Sequence, residues 1–329
     1  MRTNTFIFTC GDTNGIGPEI ALRSINELYS KSKCKFILPI PPNVFQKYAD
    51  LIDIKFPYKF IKRLGEIDQS YNGVTLVDIG DVKIDVGKPT RFSGRASYRS
   101  IIEAHKIIKL NLSSGMITAP ISKIAWQKAG INYPGHTELL GELSNSKNYA
   151  MMFLSKSFKG MLATIHDPIN KVPRLINKTK IRQLITLLHH TLIKDLNILD
   201  PKIAVLGLNP HAGECGKIGN EEIKILQPSI VDSVERGFNV YGPCVPDAFF
   251  ANKLYLKYDA ILSMYHDQLL IPFKMLHFNK GVNYTAGLSF VRTSPDHGTA
   301  YDIAGKLKAD ITSTIESFKW SRKIVKNRD

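Results

Sequence analysis

Eight short apolar runs punctuate the chain: TFIFTC (5–10), KFILPI (35–40), GVTLVDI (73–79), GMITA (115–119), AMMFL (150–154), GMLATI (160–165), KIAVLGL (202–208) and AILSMY (260–265). Each has the length and bounding polar residues of a buried strand rather than a helix. Between them, residues 18–30, 99–112, 178–196 and 219–236 space their apolar positions for helices. Strand and helix in alternation predict an α/β fold with mainly parallel sheets and helices on both faces. A single sheet of that many strands would be large, so two α/β/α lobes with a central cleft are expected. We place the first lobe at 1–130 plus 270–329, and the second at 131–269.

Polar and glycine-rich stretches follow the strand-like runs: GDTNG after the first, then APISK, HDP, NPHAGE and YHDQ. In doubly wound sheets ligands bind outside the carboxyl ends of the strands, so these loops are where chemistry is sought. Composition narrows the classes. At 329 residues and 43% apolar content the chain is an ordinary globular protein rather than a disordered one. No apolar stretch approaches the roughly 18–20 residues needed to cross a bilayer, and FIFTC is too short for a signal-peptide core. No membrane partner and a cytoplasmic location are therefore expected. Cys10, Cys34, Cys215 and Cys244 form no C-x-x-C pair, so they read as small buried hydrophobes rather than a zinc or disulfide framework. The formal charge of +15 is spread as single lysines, dense only in KWSRKIVKNRD, without a stacked-aromatic RNA module. No nucleic-acid partner is expected.

The stretch GDTNGIGPEI invites a dinucleotide reading and fails it. A Rossmann fingerprint needs G-x-G-x-x-G and an acid about 20 residues on. Here Gly11, Gly15 and Gly17 are spaced G-x-x-x-G-x-G, and the second strand is approached through Lys33, Cys34 and Lys35. A tight strand-to-helix turn with no ligand explains it as well. His166, His211 and His266 each lie just past a strand-like run. Three neutral imidazoles gathered at strand ends would make a divalent metal site, though a lone loop histidine is usually only polar. Lys274, Asn283 and Arg292 supply cationic and amide groups suited to a phosphate or carboxylate, with Arg292 placed at a strand end after the apolar LSFV. His136 and Thr137 stand at a plausible helix start, where Thr137 could cap the helix or bind an anion. Asp247, in VPDAFF, could equally be a first-turn helix residue.

Taken in order, GDTNGIGPEI, TAPISK, PGHTELL, LGLNPHAGECGKIGNEE, PDAFF, YHDQ, IPFK and GVNYTAGLSFVRTSPDHGTAYDIAGK span residues 11–306. Together they resemble the PdxA family of 4-hydroxythreonine-4-phosphate dehydrogenases, enzymes of the pyridoxal-phosphate pathway. The resemblance implies a fold like that of isocitrate and isopropylmalate dehydrogenases, which bind NAD without the Rossmann fingerprint, with NADP the alternative. It implies a homodimer whose active sites draw residues from both subunits, the second lobe giving metal ligands and dimer contacts. By motif position His166, His211 and His266 would hold one divalent ion (Zn, Co or Mg). His136, Thr137, Lys274, Asn283 and Arg292 would hold a phosphorylated substrate. Asp247, Asp267 and Lys274 are the catalytic candidates, the choice between the aspartates for proton transfer being open. Gly11, Asp12 and Gly15 are expected to shape the cleft and touch cofactor.

The implied reaction is metal-assisted oxidation of 4-phosphooxy-L-threonine at C3, then decarboxylation to 3-amino-2-oxopropyl phosphate. Two departures stand out: Thr13-Asn14 where many relatives read Pro-Ala, and Leu269 after YHDQ where glycine is frequent. Leu269 is expected to alter the cleft. Three rivals remain: a sister dehydrogenase acting on a four-carbon sugar acid 4-phosphate, an acyltransferase resembling phosphotransacetylase, and a basic RNA-binding module.

Overall fold

The computed structural model describes residues 4–329. In chain order it contains β1 (Thr5–Phe8), α1 (Gly17–Lys31), β2 (Lys35–Ile40), α2 (Pro42–Ile52), β3 (Tyr58–Ile61), β4 (Val74–Asp78), α3 (Arg91–Lys109) and β5 (Gly115–Ile117). There follow α4 (Lys123–Lys128), α5 (His136–Leu143), β6 (Ala150–Leu154), β7 (Lys159–Leu162), α6 (Val172–Leu175), α7 (Lys178–Lys194), β8 (Lys202–Leu206) and α8 (Gln227–Glu235). The remainder is β9 (Asn239–Cys244), α9 (Pro246–Ala251), β10 (Ala260–Ser263), α10 (His266–His277), β11 (Val282–Ala286), β12 (Val291–Pro295) and α11 (Thr312–Arg328). All eight apolar runs contain strands. Among the described residues no helix is long and apolar enough to cross a membrane.

The elements form two compact units. One takes the chain up to Asn145 with Ser289–Asn327 and Asp329; the other takes Ser146–Leu288 and Arg328. The divisions fall later than the expected 130/131 and 269/270. The reason lies in pairing: β11 runs antiparallel along β6 from Val282↔Leu154 to Ala286↔Ala150, so residues up to 288 stay with the second unit. His136 and Thr137 thus belong to the first unit, and Lys274 and Asn283 to the second.

In the first unit the strand order is β3-β4-β2-β1-β5-β12, every neighbour parallel. Strands β1 and β2 are buried almost throughout, as expected where helices cover both faces. In the second unit the order is β11-β6-β7-β10-β8-β9; β11/β6 and β6/β7 are antiparallel and the rest parallel. On one face of this second sheet, Ala204, Leu206 and Ile261 pack with Phe249 of α9 and with Leu269, Leu270 and Phe273 of α10. The alternate positions Ile203, Val205 and Leu262 are equally buried, and α7 and α8 pack against β10, β11 and β9.

Two helices start elsewhere than their periodicity predicts. Helix α3 begins at Arg91 rather than 99 because Thr90 and Ser93 form a reciprocal cap. Its first turns look polar because they are small. A Cβ on Gly94 would stand 2.1 Å from the Ala125 carbonyl oxygen of α4. The predicted 219–236 helix is split into a π-turn over Glu222–Leu226 and α8, with Pro228 in the first turn of α8. The cysteines are all free, but only Cys10 and Cys34 are buried; Cys215 is exposed. Burial pushes the Cys10 thiol up to about 12.

Candidate active site

In the first unit β1 lies between β2 and β5, so the chain leaves β1 in two directions and the loops after β1 and β5 meet at a switch point. Protein fills that crevice. A Cβ on Gly11, whose φ is +64°, would stand 2.6 Å from the Pro120 carbonyl oxygen, and one on Gly15 would stand 2.7 Å from that of Thr299. Asp12 is fully buried and accepts hydrogen bonds from Asn14 N at 2.9 Å and Ser93 Oγ at 3.0 Å; burial pushes its carboxyl up. These three are the residues expected to touch cofactor. All three are enclosed by neighbouring loops and offer packing, not an open cradle. The departure at Asn14 is absorbed locally: its side chain donates to Lys88 O at 2.9 Å and Thr90 Oγ1 at 3.2 Å and accepts from Asp85 N at 3.0 Å.

Beside this loop Arg292 is only 2% exposed. It is the second residue of β12 rather than a strand-end group, because Leu288–Phe290 forms the connection and pairing begins at Val291. Its Nε and Nη2 both donate to Thr118 Oγ1, at 3.0 and 2.7 Å. Burial draws the guanidinium down to about 10, partly opposed by Glu138, so it stays charged at neutral pH. His136 opens α5 and is half-buried. Desolvation first, and the charge of Arg292 second, hold its imidazole well below 6.5. Its Nε2 is buried with no hydrogen-bond partner among the described residues. Thr137, 3% exposed, follows it in the helix's first turn. A buried guanidinium, a neutral imidazole with an unmet polar atom and a helix start are a set that a phosphate or carboxylate would complete.

In the second unit the three histidines lie on one sheet edge. His166, His266 and His211 follow the carboxyl ends of β7, β10 and β8, three neighbouring parallel strands. The loops are laced together. Thr164 Oγ1 donates to Met264 O at 2.7 Å, tying the His166 loop to the His266 loop. Gln268 accepts from Met264 N and Ser263 Oγ, both at 2.8 Å, and its Nε2 donates to Gly207 O at 2.7 Å, tying the His266 loop to the strand that leads to His211. Residues His211–Cys215 form a left-handed turn with φ between 40° and 78°, which only Gly213 adopts without cost. Its approach is anchored by buried Glu222, which accepts from the N–H groups of Leu208 and Asn209 at 2.8 Å each.

The expected metal triad is not closed within one chain. The His166 and His266 rings lie 5.7 Å apart, but among the described residues no three His, Cys, Asp or Glu side chains are gathered closely enough to hold an ion. The donor chemistry fits a divalent metal; the single-chain geometry supplies only part of it. Asp267 is bound to His266, its Oδ1 2.6 Å from Nδ1, a contact that orients the ring. Asp247 is exposed in α9, just past the carboxyl end of β9. Lys274 is half-buried on α10, and Asn283, on β11, has a buried Oδ1 with no partner among the described residues. Leu269 does not alter the surface. It is fully buried, and a Cβ on Gly160 of β7 would stand 2.4 Å from its Cδ1, so a glycine across the packing makes its room.

Thr118, Glu222 and Gln268 were missed by sequence reasoning, although TAPISK, NEE and YHDQ contain them. They carry no metal or acid–base signature; their importance lies in which atoms they tie together.

A mainly parallel α/β chain with a buried arginine beside a histidine on one unit and imidazoles on adjacent strand ends of the other has the form of enzymes that bind small molecules at strand termini. Within that class the chain belongs to the PdxA family: the model described as pyridoxal phosphate biosynthetic protein PdxA matches residues 32–321. It is 41% identical over 312 residues to a 4-hydroxythreonine-4-phosphate dehydrogenase of Aquifex aeolicus, covering 94% of this chain and 95% of that one. It is 36% identical over 322 residues to a D-threonate 4-phosphate dehydrogenase of Salmonella typhimurium, covering 97% and 98%. The crystal structure of a 4-hydroxythreonine-4-phosphate dehydrogenase from Klebsiella pneumoniae superposes with a TM-score of 0.85 at 33% identity, covering 98% of each chain. An isocitrate dehydrogenase from Methylococcus capsulatus shares the fold alone, at a TM-score of 0.50 and 12% identity over 99% of this chain and 86% of that one.

Proposed function

We propose that this chain is a cytoplasmic NAD-dependent 4-hydroxythreonine-4-phosphate dehydrogenase acting in pyridoxine 5'-phosphate biosynthesis. In this reading the C3 hydroxyl of 4-phosphooxy-L-threonine loses a proton and C3 gives a hydride to NAD. The resulting β-keto acid loses CO2 to leave 3-amino-2-oxopropyl phosphate. The observation that carries the reading is the buried Arg292, held on Thr118 beside His136 with its unmet Nε2. Arg292, His136 and Thr137 bind the substrate's phosphate or carboxylate, and Lys274 and Asn283 supply further cationic and amide contacts. Asp267 orients His266, which leaves Asp247 as the better candidate for moving the proton.

His166, His211 and His266 would hold a divalent ion, which when bound withdraws charge from the substrate oxygen during both proton loss and decarboxylation. The open triad is what a site shared between two copies would show, and a homodimer is part of the proposal. His166 and His266 already face each other, so His211 is the ligand a second copy would bring. Ile271 and Met275 on α10 and Phe278 just past its end, spaced i, i+4, i+7 and 58%, 81% and 74% exposed, offer that copy an apolar face.

The test is NADH formation from 4-phosphooxy-L-threonine, with D-threonate 4-phosphate alongside, before and after chelation. Activity on the first that chelator abolishes and divalent ion restores is expected. Full activity in a metal-free preparation would sink the metal assignment, and preference for D-threonate 4-phosphate would move the chain to the sister activity.

A further inference from the structure

Helix α7 divides its faces sharply. Ile181, Leu184, Ile185, Leu188 and Leu192 are buried. Along another face Thr179, Arg182, Gln183, Thr186 and His190 recur at the spacing of a helical stripe, and every one is polar. That stripe lines an open surface groove of about 480 Å³, with Leu187 as an apolar lining residue, Arg236 entering from the end of α8 and Asn148 from the turn before β6. The volume lies within the roughly 300–1,000 Å³ of small-molecule sites. None of the groups assigned to catalysis or substrate binding lines it.

The lining is rich in donors. Two arginines, an asparagine, a glutamine, two threonines and a histidine are among the lining residues, and none of the lining residues is a carboxylate. Both arginines are steadied before any ligand arrives. Arg182 Nε lies 2.6 Å from Asp232 Oδ2. Arg236 Nη1 donates to Thr186 Oγ1 at 3.3 Å, and its guanidinium stands over the Phe238 ring at 5.1 Å. That ring is in turn stacked on His189 at 4.0 Å. Guanidiniums held in place lose less freedom on binding, and a planar fork matches phosphate oxygens better than a point charge does. The groove is larger than a bare ion needs, and its amides and hydroxyls can meet a polar carbon body.

We propose that this groove is a second ligand site, taking a small phosphomonoester through Arg182 and Arg236. It stands independently of the dehydrogenase reading. Calorimetric titration of the full chain with glycerol 3-phosphate tests it, with inorganic phosphate and malate as comparison arms. Arg292→Gln, which disables the other anion pocket, isolates the groove. This chain should still bind glycerol 3-phosphate, more tightly than phosphate or malate. Adding Arg182→Gln and Arg236→Gln should weaken binding about tenfold or more. Gln183→Glu, an exposed change that leaves both arginines in place and adds a carboxylate, should do the same. Thermal unfolding confirms that each variant folds, and Gln183→Glu decides the matter if the double change does not. Absence of binding in the Arg292→Gln chain, binding untouched by Gln183→Glu, or malate binding as well as glycerol 3-phosphate would each overturn the proposal.

Discussion

Arg292 is 2% exposed and fixed by two hydrogen bonds to Thr118, whereas His166 and His211 are exposed and His266 keeps 39% of its side chain accessible. In the first unit the charge is already buried and held on a fixed partner. The second unit has arranged its loops but not closed its imidazoles around an ion. Under the proposed function, the first unit would carry much of the anion recognition and the histidine edge of the second unit the metal chemistry. Changes on the two sides should separate cleanly, one moving substrate affinity and the other metal affinity.

The sharpest break of that contrast is a mixing experiment. If His211 comes from a second copy, His166→Ala and His211→Ala chains are each inactive alone. Dissociated and reassociated together, half the dimers are mixed and each carries one intact site of two, so about a quarter of wild-type activity should return. Failure to recover any activity, in mixtures shown by light scattering to contain dimers, would put all three ligands on one chain.

Arg292→Ala comes next in size. Losing a buried, doubly bonded cation should cost on the order of 2–5 kcal/mol of binding, a rise of about 30-fold to several thousandfold in KM for the phosphorylated substrate. Metal affinity should stay as it was. An unchanged KM would make Arg292 a packing residue.

Gln268→Ala probes the other side. It removes the link between the His266 loop and Gly207 and leaves Met264 N and Gly207 O without their partner. A change in the groups that orient metal ligands typically lowers metal affinity about 10- to 100-fold. Metal titration should show that loss, with KM for substrate little changed beside that of Arg292→Ala. Wild-type metal affinity in the variant would mean that the lacing serves the fold alone.

How far the sequence discloses each region follows from what each is made of. Strands buried on both faces, such as Phe6–Phe8, read directly as apolar runs. Strand β12 does not, because Arg292, Thr293 and Ser294 are polar yet buried, the first two satisfied by partners far along the chain. Strand β3 fails for the opposite reason: it is an edge strand whose Tyr58 and Phe60 are exposed. The histidines, Lys274 and Arg292 carry recognisable chemistry and could be named in advance. Thr118 and Gln268 could not, since a hydroxyl or amide becomes functional only through the atoms it meets. The glycines of GDTNG mark a need for space that a cofactor phosphate and a neighbouring carbonyl express identically, and in this structure the carbonyls of Pro120 and Thr299 lie against them.

The smallest expected effect concerns the protonation of the anion pocket. His136 is held well below 6.5 by burial and by Arg292, whereas an unfolded chain takes up its proton near that value. Between the two values the unfolded state binds the proton and the native state does not, so stability falls as pH falls from about 6.5 toward the depressed value. Above 6.5 both states are neutral there and His136 contributes no slope. Burial also lowers His105, His189 and His277, so the contribution of His136 is read as a difference. Urea unfolding of wild type and His136→Gln across pH 5–8 should give curves that differ in slope by no more than one proton, all of it below about pH 6.5. Parallel curves would mean that His136 titrates natively as it does unfolded. The pocket would then hold a second cation at acidic pH and lose its contrast with the open histidine edge.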